Sequence, residues 1–252
     1  MKYVGSKNKL SKELVPIIQS YITNETKGYL EPFVGGANMI DKIMCNNKIG
    51  CDAHEELIHF LRYLQSDNVL PQHISEEEYN DVRLNKDNYP KWYVGFVGFC
   101  ATFGAKYFGG YARGFKADGI TPRDQSNEAI RNIEKQKPLL KNIKFINKKF
   151  QELPKDKIKG YAIYCDPPYE CPTKYSTDKF PHSDFWNWCR EMSNDNIVLV
   201  SEYNAPIDFK CIWSKNHKTS LNIQRGEQVN RIEKLFIYDS QSSQITKGKE
   251  NE

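Results

Sequence analysis

Long hydrophobic runs are missing from these 252 residues. No apolar stretch is long enough to span a membrane and no signal-peptide pattern is present, so the sequence predicts a cytoplasmic protein that does not engage a membrane. Cysteine is sparse and irregular: seven residues, odd in number, scattered and without a C-x-x-C pair. That excludes a disulfide framework and offers no zinc signature, so reduced thiols and no metal are expected. No internal repeat occurs. The net charge of only +4 says little as a sum, but its distribution is uneven. From Val82 to Arg123 seven Lys/Arg face only Asp87 and Asp118, a local basic surface suited to a polyanion. The length suffices for one substantial core with an insertion.

Apolar, β-prone runs alternate with helical patterns, which predicts a parallel α/β sheet. Strands are expected at Gly28–Val34, Lys48–Asp52, Ile143–Asn147, Gly160–Cys165, Asn196–Ser201, Asp208–Trp213 and Ile232–Tyr238. Helices are expected at Lys7–Tyr21, Asn38–Met44, His54–Gln65, Asn127–Leu140 and Ser183–Met192, the last capped by Ser183 with Asp184. Between Ser66 and Asn142 the alternation lapses and Gly, Tyr and Phe become dense. The predicted organisation is therefore a discontinuous catalytic domain (1–65 and 143–239), an inserted, mainly helical lobe (66–142) and a polar tail (240–252).

The run Tyr161-Ala162-Ile163-Tyr164-Cys165 stops at Asp166-Pro167-Pro168-Tyr169. Proline has no N–H and a fixed φ, so the pair ends sheet pairing and leaves carbonyls free beyond the strand. A planar aminopurine beside such a turn could donate one amino hydrogen to Asp166 and one to the Pro167 carbonyl, with Tyr169 covering its face. Asp-Pro alone marks an ordinary strand exit. A second junction, Tyr29-Leu30-Glu31-Pro32-Phe33-Val34-Gly35-Gly36, is a strand entering a glycine turn, where backbone and ligand can approach closely. Sixteen residues after Gly36 the next strand ends in Asp52, placed either to accept both hydroxyls of a ribose or to cap the following helix.

Four blocks now carry a resemblance: Tyr3-Val4-Gly5-Ser6-Lys7, Glu31-Pro32-Phe33-Val34-Gly35-Gly36, Asp52-Ala53-His54-Glu55-Glu56-Leu57-Ile58 and Asp166-Pro167-Pro168-Tyr169. In this order, and with an insertion before the last, the chain resembles the Dam-type (D12 class) S-adenosylmethionine-dependent DNA adenine-N6 methyltransferases. The resemblance implies a Rossmann-like, seven-stranded methyltransferase sheet whose last strand is antiparallel, with 66–142 as target-recognition lobe and double-stranded DNA as partner. It implies S-adenosyl-L-methionine as cofactor, with Tyr3 and Lys7 at its methionine end, Asp52 on its ribose, and Glu31, Phe33, Gly35, Gly36, Phe150 and Asp166 around it. Asp166, Pro167 and Tyr169 are then catalytic. Two positions depart from the family's habit: Ala37 stands where relatives often have a third glycine, and Lys149 precedes Phe150 where a short polar or acidic residue is usual. A lysine cannot accept the adenine amino hydrogens, whereas the Phe150 N–H could serve adenine N1.

Within the lobe, Trp92, Phe96, Phe99 and Phe103 recur at helix spacing, the pattern of a packed stripe. The segment Gly104–Gly114 mixes glycines with Lys106, Tyr107 and Arg113, and reads either as a basic loop entering a DNA groove or as an irregular loop with its tyrosines turned inward. Expected DNA contacts are Lys106, Tyr107, Arg113 and Arg123, with Lys218 in a polar loop spanning Lys215 to Asn230. Rival readings are an N4-cytosine or RNA amino-methyltransferase, and a noncatalytic DNA-binding relative. Target sequence and oligomeric state, monomer or weak dimer, stay open.

Overall fold

Apolar runs bounded by Gly, Pro and Asx residues become strands in the computed structural model, which describes residues 1–115, 118–121, 123–169, 180–219 and 229–242. The seven strands among the described residues are β1 (Gly28–Glu31), β2 (Lys48–Asp52), β3 (Ile143–Asn147), β4 (Tyr161–Cys165), β5 (Ile197–Glu202), β6 (Phe209–Thr219) and β7 (Val229–Tyr238). They form one mixed sheet in the order β3-β2-β1-β4-β5-β7-β6. The pairs β1/β4, β2/β3 and β4/β5 are parallel, whereas β7 runs antiparallel to both β5 and β6. This is the α/β, Rossmann-like methyltransferase sheet expected from the sequence, with its last strand reversed. Among the described residues no helix is long and apolar enough to cross a membrane.

Two compact units divide the chain, Met1–Gln19 with Val34–Lys149 and Ser20–Phe33 with Phe150–Glu252. In the second unit the central strands are buried throughout: Leu30, Ile163, Val198, Leu199, Val200, Leu235 and Ile237 have almost no exposure. A strand covered on both faces reads as continuous rather than alternating apolar sequence, which is why β4 and β5 stand out. In the first unit α2 (Glu55–Tyr63) lies along α4 (Lys91–Cys100), with Tyr63 stacked flat on Trp92 at 3.6 Å and Phe60 against Phe96 at 5.7 Å. Close approach needs Gly95, because a Cβ there would stand 2.3 Å from the Glu56 carbonyl oxygen. Five further α-helices are described: α1 (Ser11–Gln19), α3 (Glu76–Leu84) and α5 (Gln125–Leu140) in this unit, and α6 (His182–Met192) and the short α7 (Asp239–Ser242) in the other.

Several expected boundaries move, each for a local reason. The first expected strand stops at Glu31 because Pro32 has no N–H to donate. The expected Lys7–Tyr21 helix begins as a 3-10 turn at Lys7–Lys9 before α1. The helix expected at Asn38–Met44 shrinks to one 3-10 turn, Ile40–Lys42, and Ile43 is already extended. The α6 helix starts at His182 after Pro181, which makes no side-chain cap bond, so Ser183 and Asp184 lie inside it rather than capping it. The expected loop from Lys215 is in part a hairpin: β6 continues to Thr219 and β7 starts at Val229, with Lys218 paired in register to Asn230. The rest of that loop, and the tail from residue 243, lie outside the described residues. Phe96 and Phe99 are buried as the stripe requires, but Phe103 falls beyond the end of α4 and is 66% exposed.

Gly95→Ala sets two effects against each other. Alanine favours a helix interior by about 1 kcal/mol, but the Cβ would press into the Glu56 backbone, which cannot rotate away. Overpacking of this kind costs roughly 1–3 kcal/mol, so we expect net loss of stability in urea unfolding; a variant as stable as the parent would contradict the tight α2/α4 contact.

Candidate functional site

The glycine turn after β1 is built by its neighbours in the first unit. Gly35 adopts φ +46°, a left-handed conformation that glycine takes freely, and a Cβ there would lie 2.8 Å from the Tyr3 ring. At Gly36 a Cβ would meet Tyr3 at 2.9 Å. Both glycines thus make room for Tyr3, whose ring also packs on Phe99 at 5.5 Å. Ala37, in the position where a third glycine is usual, follows the same backbone path at φ +55°. Gln136 from α5 holds this turn from beneath, its buried amide donating to the Asp41 carboxylate at 2.8 Å and to the Gly36 and Ala37 carbonyls at 3.2 Å. Sequence gave no hint of Gln136: it acts a hundred residues away from its partners.

Asp52 ends β2 and closes the turn. One carboxylate oxygen accepts the Gly35 N–H at 3.0 Å and the other accepts the His54 N–H at 2.9 Å. Burial pushes the carboxyl above the ordinary aspartate range, against the opposing pull of the His54 and Gly35 N–H groups. The expected alternative, a cap on α2, belongs to His54 instead, whose Nδ1 accepts the Leu57 N–H. Lys7 is 6% exposed, with its ammonium donating to the Gly5 carbonyl at 3.3 Å. A lysine buried to this degree is not a solvated helix start.

The second unit holds the other residues. β4 carries Tyr164 to full burial, where its hydroxyl meets Ser201 at 2.8 Å, and then delivers Asp166, Pro167, Pro168 and Tyr169. Pro167 is buried, Pro168 exposed, and Asp166 and Tyr169 are half-buried. The Tyr169 hydroxyl donates to the Glu233 carboxylate at 2.9 Å, and its ring meets Tyr203 edge-on at 4.6 Å. Burial above all, then the Asp166 and Glu233 carboxylates, pushes the Tyr169 phenol well above its usual range. Glu31 is buried on β1 and accepts the Tyr29 hydroxyl at 2.8 Å. Phe33 and Phe150 belong to an aromatic cluster with Phe180 and Phe185 at centroid distances of 5.6–5.7 Å. Lys149 is exposed.

The predicted DNA contacts divide. Lys106, Arg113 and Arg123 are exposed. Arg113 forms a two-pronged ion pair with Glu76, and Arg123 forms one with Glu128 at 2.6 Å. Tyr107 follows the inward alternative: its ring packs on Gly98, Phe99, Phe108 and, at 4.3 Å, His54, and its hydroxyl is sealed from solvent with no hydrogen-bond partner among the described residues. Lys86 lies over the same ring at 4.7 Å. The side chain of Lys218 is outside the described residues. Among the described residues no group of three or more His, Cys, Asp or Glu side chains is arranged to hold a metal ion.

The Asp52 account has a pH consequence. A carboxyl raised in the folded state holds its proton more tightly than in the unfolded chain, so the stability it contributes is present at low pH and lost as pH rises from about 4 through its raised folded value. Asp52→Asn does not titrate. We expect the parent to lose stability relative to Asp52→Asn over that rise, read by urea unfolding at stepped pH; parallel profiles would contradict the burial of this carboxylate.

A search among curated proteins found no match. A family model described as D12 class N6 adenine-specific DNA methyltransferase matches residues 3–230, a span that includes all four sequence blocks, the Asp52-bound glycine turn and the Asp166 strand end. The chain belongs to the D12 class N6 adenine-specific DNA methyltransferase family.

Proposed function

We propose that this chain transfers a methyl group from S-adenosylmethionine to N6 of adenine at a specific site in double-stranded DNA, in the cytoplasm. The observation that carries the reading is the carboxylate of Asp166 at the end of a fully buried strand, followed by two prolines and a tyrosine held by its hydroxyl. Bound S-adenosylmethionine supplies the methyl group. Asp52 suits it: its carboxylate oxygens accept backbone N–H groups, and a carboxylate has about four lone-pair sites, leaving capacity for a ribose hydroxyl. Lys7 supplies a cation for the cofactor's carboxylate, Tyr3 lies at its methionine end, and Glu31, Gly35, Gly36, Phe33 and Phe150 complete the binding residues.

Adenine N6 is a poor nucleophile because its lone pair is delocalised into the ring. Asp166 accepts one amino hydrogen and the Pro167 carbonyl the other, which draws the nitrogen toward tetrahedral geometry and localises the pair for attack. Asp166 acts as an acceptor and need not be a strong base. Tyr169 stacks on the base, offsetting part of the few kcal/mol spent in taking it out of the duplex. Residues 66–142 form the recognition lobe in this reading, with Lys106 a point charge for phosphate and Arg113 a fork able to grip guanine. The Glu76 and Glu128 ion pairs lie at the surface, where solvent screens them, so exchanging them for DNA costs little. Tyr107 and Lys218 are the remaining contacts of the sequence reading; for Tyr107 the inward packing favours support of the loop over contact with a groove.

Asp166→Ala tests the proposal. It removes the N6 acceptor at a half-exposed strand end that adds little to the core, so transfer of labelled methyl groups to duplex DNA should fall by about 100-fold or more with the melting temperature unchanged. Turnover within a few fold of the parent would refute the role of Asp166.

A further inference from the structure

β7 carries a carboxylate where its pattern calls for a hydrocarbon. Residues 233, 235 and 237 share one face of the strand; Leu235 and Ile237 are fully buried, and Glu233 between them and the strand's outer end is 6% exposed. Burying a charged group is expensive without a partner, and the register opposite, Lys215 on β6, shows that the position lies within the ladder and not on a loose end. Its Oε2 accepts the Tyr169 hydroxyl at 2.9 Å. Tyr169 itself stands past the end of β4, outside any strand. Its ring has contact on one edge with Tyr203, which follows β5 directly, and its far end is tied to β7 by Glu233. Two strands of the central sheet thus fix the ring plane before any base arrives.

We propose that Glu233 is a positioning residue for methyl transfer, acting through Tyr169: it holds the phenol so that the ring face, and not its edge, covers the target base beside Asp166. The inference rests on the function proposed above. It goes beyond it by assigning a task to a buried acid sixty-four residues from the catalytic strand end. An untethered tyrosine samples several side-chain rotamers, and stacking that must first be ordered is lost from the rate. The geometry therefore separates two properties of Tyr169 that alanine would remove together, the ring that stacks and the hydroxyl that aims it.

Steady-state methylation of mixed-sequence DNA by the full chain, with Tyr169→Phe, Glu233→Ala, Glu233→Gln and the double variant Tyr169→Phe/Glu233→Ala, tests this. Tyr169→Phe and Glu233→Ala should each lower kcat roughly ten-fold, the loss expected for one hydrogen bond to a charged group. KM for DNA and for S-adenosylmethionine should stay within about two-fold, because binding groups are untouched. The double variant should be no slower than either single one, since both remove the same bond. Glu233→Gln, which keeps an acceptor oxygen, should recover most of the rate. Multiplying effects, or a Glu233→Ala enzyme as fast as the parent, would overturn the role of Glu233 while leaving the methyltransferase reading intact. A folded parent that methylates no DNA would overturn that reading and this inference with it. If Glu233→Ala lowers the melting temperature strongly and Glu233→Gln fails to restore kcat in a stably folded protein, the acid is a structural member and the inference fails.

Discussion

A strand buried on both faces must end where its chain stops offering N–H groups, and this constraint at β4 is what the rest of the proposed chemistry depends on. Tyr161–Ile163 pairs with β1 on one side and Ala162–Cys165 with β5 on the other. At Pro167 and Pro168 the donors vanish while the carbonyls persist. The chain therefore emerges from the core as a stiff segment whose two prolines offer carbonyls and no N–H, beside the Asp166 carboxylate. An amino group that must give up two hydrogens to its surroundings is complementary to such an edge. No side-chain base of unusual strength has to be invoked.

The first unit applies the same economy at Asp52. A carboxylate at the end of β2 serves two backbone donors, one on the glycine turn and one opening α2, and so fixes the spacing between them. The glycines of that turn make room for the N-terminal segment: the Tyr3 ring fills the space of a Cβ at Gly35, and the Asn38 amide and the Tyr3 Cβ crowd that space at Gly36. Removing the side chain at Gly35 and Gly36 lets the N-terminal segment lie against the turn, and Gln136 locks the carbonyls from the other side. Ala37 tolerates a left-handed φ of +55° within this web of contacts. That is how a position where relatives often have glycine accommodates a methyl group here.

The strands were legible because each is a short apolar run with a hard stop, and β2, β3 and β4 fall within a residue of their expected limits. The strand end proposed as catalytic stood out for the same reason: Asp166-Pro167-Pro168-Tyr169 is a local pattern. Helix α3 was overlooked in a polar stretch, although its signal was present, since Ser75 and Glu78 make a reciprocal capping box. Gln136 and Glu233 carried no such signal. Gln136 takes its meaning from partners 95–100 residues away and Glu233 from one 64 residues away, and a buried amide or acid looks in sequence like any surface one. The aromatic stripe departs from its pattern because helix spacing continues past the helix: Phe103 keeps the i+11 interval but follows Thr102, where the backbone has left α4. Tyr107, by contrast, sits in a segment that reads as an exposed loop, yet Gly98 opens a slot in α4 that its ring occupies.

The central claim is that the edge formed by Asp166 and Pro167 serves the exocyclic nitrogen of adenine in DNA. Co-expressing the chain with plasmid DNA in a host lacking its own adenine methylation, and then sequencing that DNA by a method that registers modified bases, tests it most directly. The account predicts N6-methyladenine at one recurring sequence, absent when the host carries the Asp166→Ala chain at equal abundance. N4-methylcytosine in its place, or DNA left unmodified by a well-expressed and folded parent, would contradict it.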